Sequence, residues 1–166
     1  HDYYTDEMTM AYWVRHYGIG HIANQRHDFR RGGDTLRLAG VEHPYQPVAD
    51  WQGLVGEKPA NTFCLALSHR PENILPLARA GADLVLSGHT HGGQWRLPLI
   101  GPVFMPSFYG RHFDQGFFCV GNTLLYVSRG FGGHTFPLRL NCPPEISLFD
   151  LRTRGEKQNI LCREQC

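Results

Sequence analysis

Residues 83–94 read Asp-Leu-Val-Leu-Ser-Gly-His-Thr-His-Gly-Gly-Gln. The apolar run Leu84-Val85-Leu86 ends in small residues and then delivers His89 and His91, two imidazoles one residue apart. Imidazole is the commonest protein ligand for metal ions, and neighbouring glycines let backbone approach an ion closely. Upstream, a second apolar run, Phe63-Cys64-Leu65-Ala66-Leu67, ends in Ser68-His69-Arg70-Pro71. Two apolar strands that each end in histidine read as two sides of one metal site. Taken singly, His16, His21, His27, His43, His112 and His134 read as surface or loop histidines.

The elements that must position these groups follow from patterning. Residues 5–17 predict a helix: Thr5 caps it, Asp6 and Glu7 suit its positive end, and Met10, Trp13, Val14 and Tyr17 share one face. Ile19 to Asn24 fits a short strand. Thr35 to Val41 alternates and predicts another. Residues 42–61 are broken by Pro and Gly and read as a loop insertion. The continuous apolar run 63–67 is that of a strand covered on both faces. Residues 71–80 predict a helix that starts or kinks at Pro76 and stops at Gly81. A crossover helix of this kind makes the strands on either side of it parallel. Residues 92–122 read mostly as loop, 124–128 as a strand and 145–151 as a final strand. The whole is α/β, turning mostly to β after residue 120. In such sheets ligands gather beyond the carboxyl ends of the strands, where His69, His89 and His91 all fall.

Composition sets the outer bounds. The 166 residues suit one domain with a core of its own. Hydrophobic residues at 42% and charged residues at 19% are ordinary for a globular protein. The net charge of +1 gives no basic field for nucleic acid or anionic lipid. The five cysteines include no Cys-x-x-Cys pair, so neither a disulfide scaffold nor a cysteine zinc knuckle is predicted. Cys64 and Cys119 sit in apolar runs and read as buried free thiols.

The combination Leu67-Ser68-His69-x-Pro71 with Ser87-Gly88-His89-Thr90-His91-Gly92-Gly93-Gln94 resembles the calcineurin-like metallophosphoesterases. The opening His1-Asp2-Tyr3-Tyr4 is similar to the end of that family's Gly-Asn-His-Asp motif. Leu125 to Gly130 and Asn141 to Ile146 are similar to one branch, the bacterial envelope-associated phosphoesterases, some akin to UDP-diacylglucosamine pyrophosphohydrolases. The resemblance runs from residue 1 to about residue 151, leaving 152–166 as a polar tail. It implies the C-terminal portion of a four-layer α/β/β/α sandwich holding two divalent metal ions. His69 and His89 would bind the second ion and His91 the first. His1 would contact the phosphoryl group or protonate the leaving oxygen, with Asp2 orienting it. Arg96, Arg129 and His134, in loops near the motifs, are candidates to hold substrate phosphate or diphosphate.

The family's remaining ligands come from Asp-x-His and Gly-Asp-x-x-Asp motifs and from an Asn just before the position of His1. None of these stands in the sequence. Paired metals ~3.5–4 Å apart call for a bridging carboxylate that three neutral imidazoles do not supply. The expectation is therefore part of a longer enzyme, inactive by itself, that hydrolyses a phosphate ester or diphosphate through a metal-activated hydroxide. Mixed imidazole and carboxylate ligands favour Mn, Fe or Zn. The expected partner is a small or lipid-linked phosphate substrate, with no nucleic acid. Membrane attachment would lie upstream of His1, in a bacterial envelope setting, the cytoplasm being the alternative. The rival is a non-catalytic fragment or pseudoenzyme acting as a binding domain. A cupin would need a glutamate where Gln94 stands, and a metallo-β-lactamase fold would need Asp-His in place of Gly92-Gly93.

Overall fold

The computed structural model describes residues 7–42, 48–107, 109, 111–133, 138–152 and 163–164. His1, Asp2 and His134 lie outside the described residues, as does most of the 152–166 tail.

The chain builds a mixed α/β domain around one seven-stranded sheet, with a separate two-stranded ribbon. In chain order the elements are α1 (Glu7–His16), β1 (Arg26–Arg31), β2 (Asp34–Val41), α2 (Trp51–Val55), β3 (Thr62–Ser68), α3 (Ile74–Ala80), β4 (Leu84–Ser87), β5 (Arg96–Leu97), β6 (Gly101–Pro102), β7 (Gly116–Val120), β8 (Thr123–Val127) and β9 (Arg163–Glu164). The sheet order is β1-β2-β3-β4-β8-β7-β9, and β5 pairs with β6. The central strands β2, β3, β4 and β8 run parallel, and β1 and β7 pair antiparallel with β2 and β8. The short β9, within the expected polar tail, adds to β7 in parallel.

One face of the sheet carries the core. Ala39, Val41, Cys64, Ala66, Val85, Leu125 and Val127 are buried there with Leu54 and Val55 of α2 and Ile74, Leu77 and Ala80 of α3. The α3 residues fall at i, i+3 and i+6, one stripe of a helix. A 3-10 turn over Pro71–Asn73 leads into α3, so Pro76 sits in the first α-turn. An N–H is dispensable at that point, and the helix runs on past the proline instead of starting or kinking there. Gly81 ends it at φ 94°, the left-handed conformation that glycine adopts without penalty.

Several expectations change in the structure. Ile19 to Asn24 is not a strand, whereas Arg26–Arg31 is one, paired along its length with β2. The 42–61 insertion contains α2, and the 92–122 segment contains β5, β6 and β7. Strand β3 is covered on one face only among the described residues: Phe63 and Leu67 remain 40% and 38% exposed. Helix α1 exposes Trp13, and Tyr17, just past its end, is exposed too. Residues 145–151 keep a strand's alternating burial but form no ladder. Side chains hold them beside β8 instead, with the Phe149 ring 5.0 Å from that of Tyr126. Cys119 is disulfide-bonded, contrary to its reading as a free thiol, and its partner lies outside the described residues. Cys64 and Cys142 are free and buried. Burial, with Asp83 adding to it, pushes the Cys64 thiol up to about 11, which leaves it inert.

Candidate metal centre

Parallel register brings the first two histidines together. Ser68, the last residue of β3, is level with Ser87, the last of β4. His69 follows the first directly, and His89 follows the second after one glycine. Their rings meet: His89 Nδ1 lies 3.0 Å from His69 Nε2, with ring centroids 4.7 Å apart. The turn after β3 is fixed by Ser68, whose hydroxyl donates to the Arg70 carbonyl at 2.9 Å and accepts from Asn73 Nδ2 at 2.8 Å. The strand ends are joined further by Gly88 N–H to His69 O and Ser128 N–H to Ser87 O, at 3.2 and 2.8 Å.

Both imidazoles are held in the neutral form. Burial, reinforced by His89 and then by Arg70, brings His69 down to about 4. Burial and then Arg70 also lower His89, against the opposing pull of Glu72 and of a hydrogen bond with the Pro106 backbone. A neutral ring offers the lone pair that a metal takes.

His91 sits one residue further on, in a turn of unusual backbone. His89, His91, Gly92, Gly93 and Gln94 all have positive φ, at 68°, 51°, 62°, 76° and 52°. Left-handed conformation costs a non-glycine residue roughly 1–2 kcal/mol. Three such residues in six persist only where their surroundings over-determine them. Several contacts do so here. Thr90 is fully buried, and its hydroxyl donates to the Asp114 carbonyl at 2.8 Å. Arg96 Nη1 donates to the Gly92 carbonyl at 2.9 Å and to Asp114 Oδ2 at 2.8 Å. Gln94 and Trp95 both donate from their side chains to the Leu138 carbonyl.

The two described candidates for phosphate binding are thus engaged within the protein. Arg96 pins the turn that carries His91. Arg129 gives Nε and Nη2 to Glu145 Oε2 at 2.7 and 2.5 Å. Glu145 also accepts hydrogen bonds from Tyr126 and Ser147. These donors together hold its carboxyl below the ordinary range although burial opposes them. Sequence reasoning missed the structural parts played by Asp114, Glu145 and Arg139. Glu145 lay within a segment that carried the resemblance, but no residue type or spacing announced its ion pair with Arg129.

A cleft of about 530 Å³ opens at the ends of β2, β3, β4 and β8, lined among others by Glu42, Ser68, His69, Ser87, Tyr126 and Ser128. His69 faces this cleft, whereas His89 and His91 are not among its lining residues.

The residues present fit part of a metal site. Two neutral imidazole nitrogens 3.0 Å apart have the right donor chemistry. Among the described residues, however, no group of three or more His, Cys, Asp or Glu side chains is gathered closely enough to hold an ion. Imidazole pairs alone leave a divalent ion short of its usual ligand count.

No protein-family model matches the chain, and no solved structure matches it. The chain is 35% identical over 121 residues to the uncharacterized metallophosphoesterase YkuE of Bacillus subtilis, covering 73% of this chain and 42% of that protein. It is 38% identical over 104 residues to the phosphodiesterase YaeI of Escherichia coli, covering 61% and 38%. It is 37% identical over 124 residues to the UDP-2,3-diacylglucosamine pyrophosphatase LpxG of Chlamydia trachomatis, covering 69% and 37%. The chain therefore spans less than half the length of each of these relatives.

Proposed function

From the premise that this chain is a relative of the calcineurin-like metallophosphoesterases, we propose that it contributes the histidine side of a metal-dependent phosphoester hydrolase. The carrying observation is the His69–His89 imidazole pair, both rings neutral, fixed at the ends of adjacent parallel strands. His69, His89 and His91 would be the residues that hold divalent ions, of which Mn, Fe and Zn suit imidazole mixed with carboxylate. Bound ions would supply charge stabilisation at the phosphoryl oxygens and lower the pKa of the attacking water. The chain's own part is to keep the His69 and His89 rings neutral, to lock the backbone that carries the three histidines at the strand ends, and to present His69 to the cleft. His1 and Asp2 are proposed to protonate the leaving oxygen and to orient that proton donor. Carboxylate ligands would come from the longer protein.

A phosphate ester or diphosphate is the substrate class. Likeness to a UDP-2,3-diacylglucosamine pyrophosphatase makes a lipid-linked diphosphate the first candidate within it. Peripheral attachment to a membrane goes with such a substrate. It is also in keeping with 30% identity over 161 residues to a transmembrane protein with a metallophosphoesterase domain from Danio rerio. Among the described residues no helix is long and apolar enough to cross a membrane.

The test is turnover of bis-p-nitrophenyl phosphate and of a UDP-sugar diphosphate by the intact protein with Mn²⁺. His91→Ala is expected to lower kcat/KM at least about 100-fold, since loss even of a group supporting a metal ligand costs 10–100-fold. Near-normal turnover at saturating Mn²⁺ would remove His91 from the site. The second reading, a binding domain without catalysis, is favoured by the missing third ligand among the described residues. It predicts no turnover of either substrate by the intact protein.

A further inference from the structure

We infer that Arg139 is a positioning residue that sets the backbone of the His91 turn. Its Nη1 donates to the His91 carbonyl at 3.3 Å and to the Cys142 carbonyl at 3.2 Å. Its Nη2 donates to the carbonyls of Arg129, Gly130 and Gly132 at 2.9, 3.2 and 2.5 Å. One guanidinium thus joins the turn after β4, the loop after β8 and the 138–142 segment. Among the described residues no carboxylate pairs with it, so its charge is met by carbonyl dipoles. That is the pattern of a group recruited for its geometry, because the two terminal nitrogens of a planar guanidinium hold four N–H donors in a fixed fork that can be shared among these carbonyls.

The 138–142 segment is stitched to the turn along its length. Leu140 N–H donates to Gln94 O, and Arg96 N–H donates to Leu140 O, both at 2.9 Å. Trp95 and Leu140 form a parallel bridge, and Asn141 Nδ2 donates to Arg96 O at 3.0 Å. The buried Cys142 thiol adds a contact to His91 O at 3.3 Å. The His91 carbonyl is therefore held from two sides while its φ stands at 51°. Releasing it would let the turn relax toward ordinary φ and swing the imidazole away from its present position. The effect on metal binding rests on the reading of His91 as a ligand, whereas the effect on the turn does not.

Two measurements on the intact protein separate these. The first is residue-resolved amide hydrogen exchange of Arg139→Lys, which keeps the charge and loses the fork. Exchange at Gln94 and Leu140 is expected to quicken at least about 10-fold, with Val85 and Leu125 in the core unchanged. Unchanged exchange at Gln94 and Leu140 overturns the inference. Exchange quickened evenly through the core does so too, because Arg139 would then serve global stability alone. If the lysine variant does not fold, Arg139→Gln takes its place, and failure of both to fold assigns Arg139 to stability and overturns its positioning role. The second is Mn²⁺ titration by calorimetry, in which Arg139→Lys is expected to raise Kd by about 10-fold or more. His91→Ala serves as the control. If it leaves Mn²⁺ affinity unchanged, the ligand reading of His91 fails while the exchange result stands. If it weakens binding and Arg139→Lys does not, the positioning role fails.

Discussion

Gly92→Ala offers the sharpest test of the strained turn. Gly92 has φ of 62°, and a Cβ placed there would lie 2.7 Å from Cys142 Sγ, 2.7 Å from Gln115 Oε1 and 2.8 Å from Arg129 Cγ. Two costs add. The left-handed backbone costs an alanine roughly 1–2 kcal/mol. The crowding adds roughly 1–3 kcal/mol, the usual range for overpacking. Gln115 can swing aside, but Cys142 is 1% exposed and Arg129 is held by Glu145, so two of the three neighbours cannot yield easily. The sum, about 2–5 kcal/mol, corresponds to a fall in Tm of roughly 4–20 °C at 2–4 °C per kcal/mol for a chain of this size. Gly121 provides the control. It has φ of 58° and nothing within 4 Å of where a Cβ would stand, so Gly121→Ala carries the backbone cost alone. Urea unfolding of both variants, followed by circular dichroism, should find Gly92→Ala the less stable by at least about 1 kcal/mol. Equal losses in the two would show that the space around Gly92 is not filled as described, and the account of a clasped turn would fail with it.

Two further outcomes follow from buried charge. His69 titrates at about 4 in the folded protein, against about 6.5 for an unfolded imidazole. Between these values the unfolded chain binds the proton and the folded one does not, so stability falls as pH drops from about 6.5 to about 4. The loss is roughly 3 kcal/mol at most, and it should shrink in the urea midpoint profile of His69→Gln, leaving the part that His89, also lowered by burial, contributes. A midpoint flat with pH in that window would refute the burial of a neutral ring. Arg37 is 8% exposed and ties β2 to its surroundings. It makes a two-pronged pair with Asp28 at 2.8 and 2.9 Å and donates to the Val55 and Glu57 carbonyls at 2.7 and 2.8 Å. Arg37→Met should cost about 3 kcal/mol, the lower end for breaking a buried pair because Asp28 keeps some contact with water. A loss under about 1 kcal/mol by thermal melting would show that the network is dispensable.

The central strands were legible in the sequence because their apolar runs are local facts. Phe63 to Leu67, Leu84 to Leu86 and Leu124 to Val127 each form strands whose limits lie within a residue or two of the reading. The crossover through α3, the stop at Gly81 and the position of histidines beyond strand ends were equally local. Strand β1, Arg26–Arg31, was not legible, since its charged residues form a strand only through their pairing with β2. Residues 145–151 had a strand's alternation without a partner to make it one, because side chains and not a ladder hold them to β8.

For the candidate site, the sequence by itself determined which side chains could bind a metal. Histidine chemistry and its placement at the ends of apolar runs are properties of the chain alone. Only the tertiary structure decided what the other charges do. Arg96, Arg129 and Arg139 have the same side chain, and all three lie outside the seven-stranded sheet, Arg96 in the short β5 and the others in loops. Their roles differ because the fold brought Asp114 to Arg96, Glu145 to Arg129, and to Arg139 a fan of five carbonyls that reaches from the neighbouring loops to His91, 48 residues away. A guanidinium's partner is set by Coulomb attraction and hydrogen-bond geometry over a few ångströms, and such distances exist only once the sheet has aligned Ser68 with Ser87 and carried the loops together.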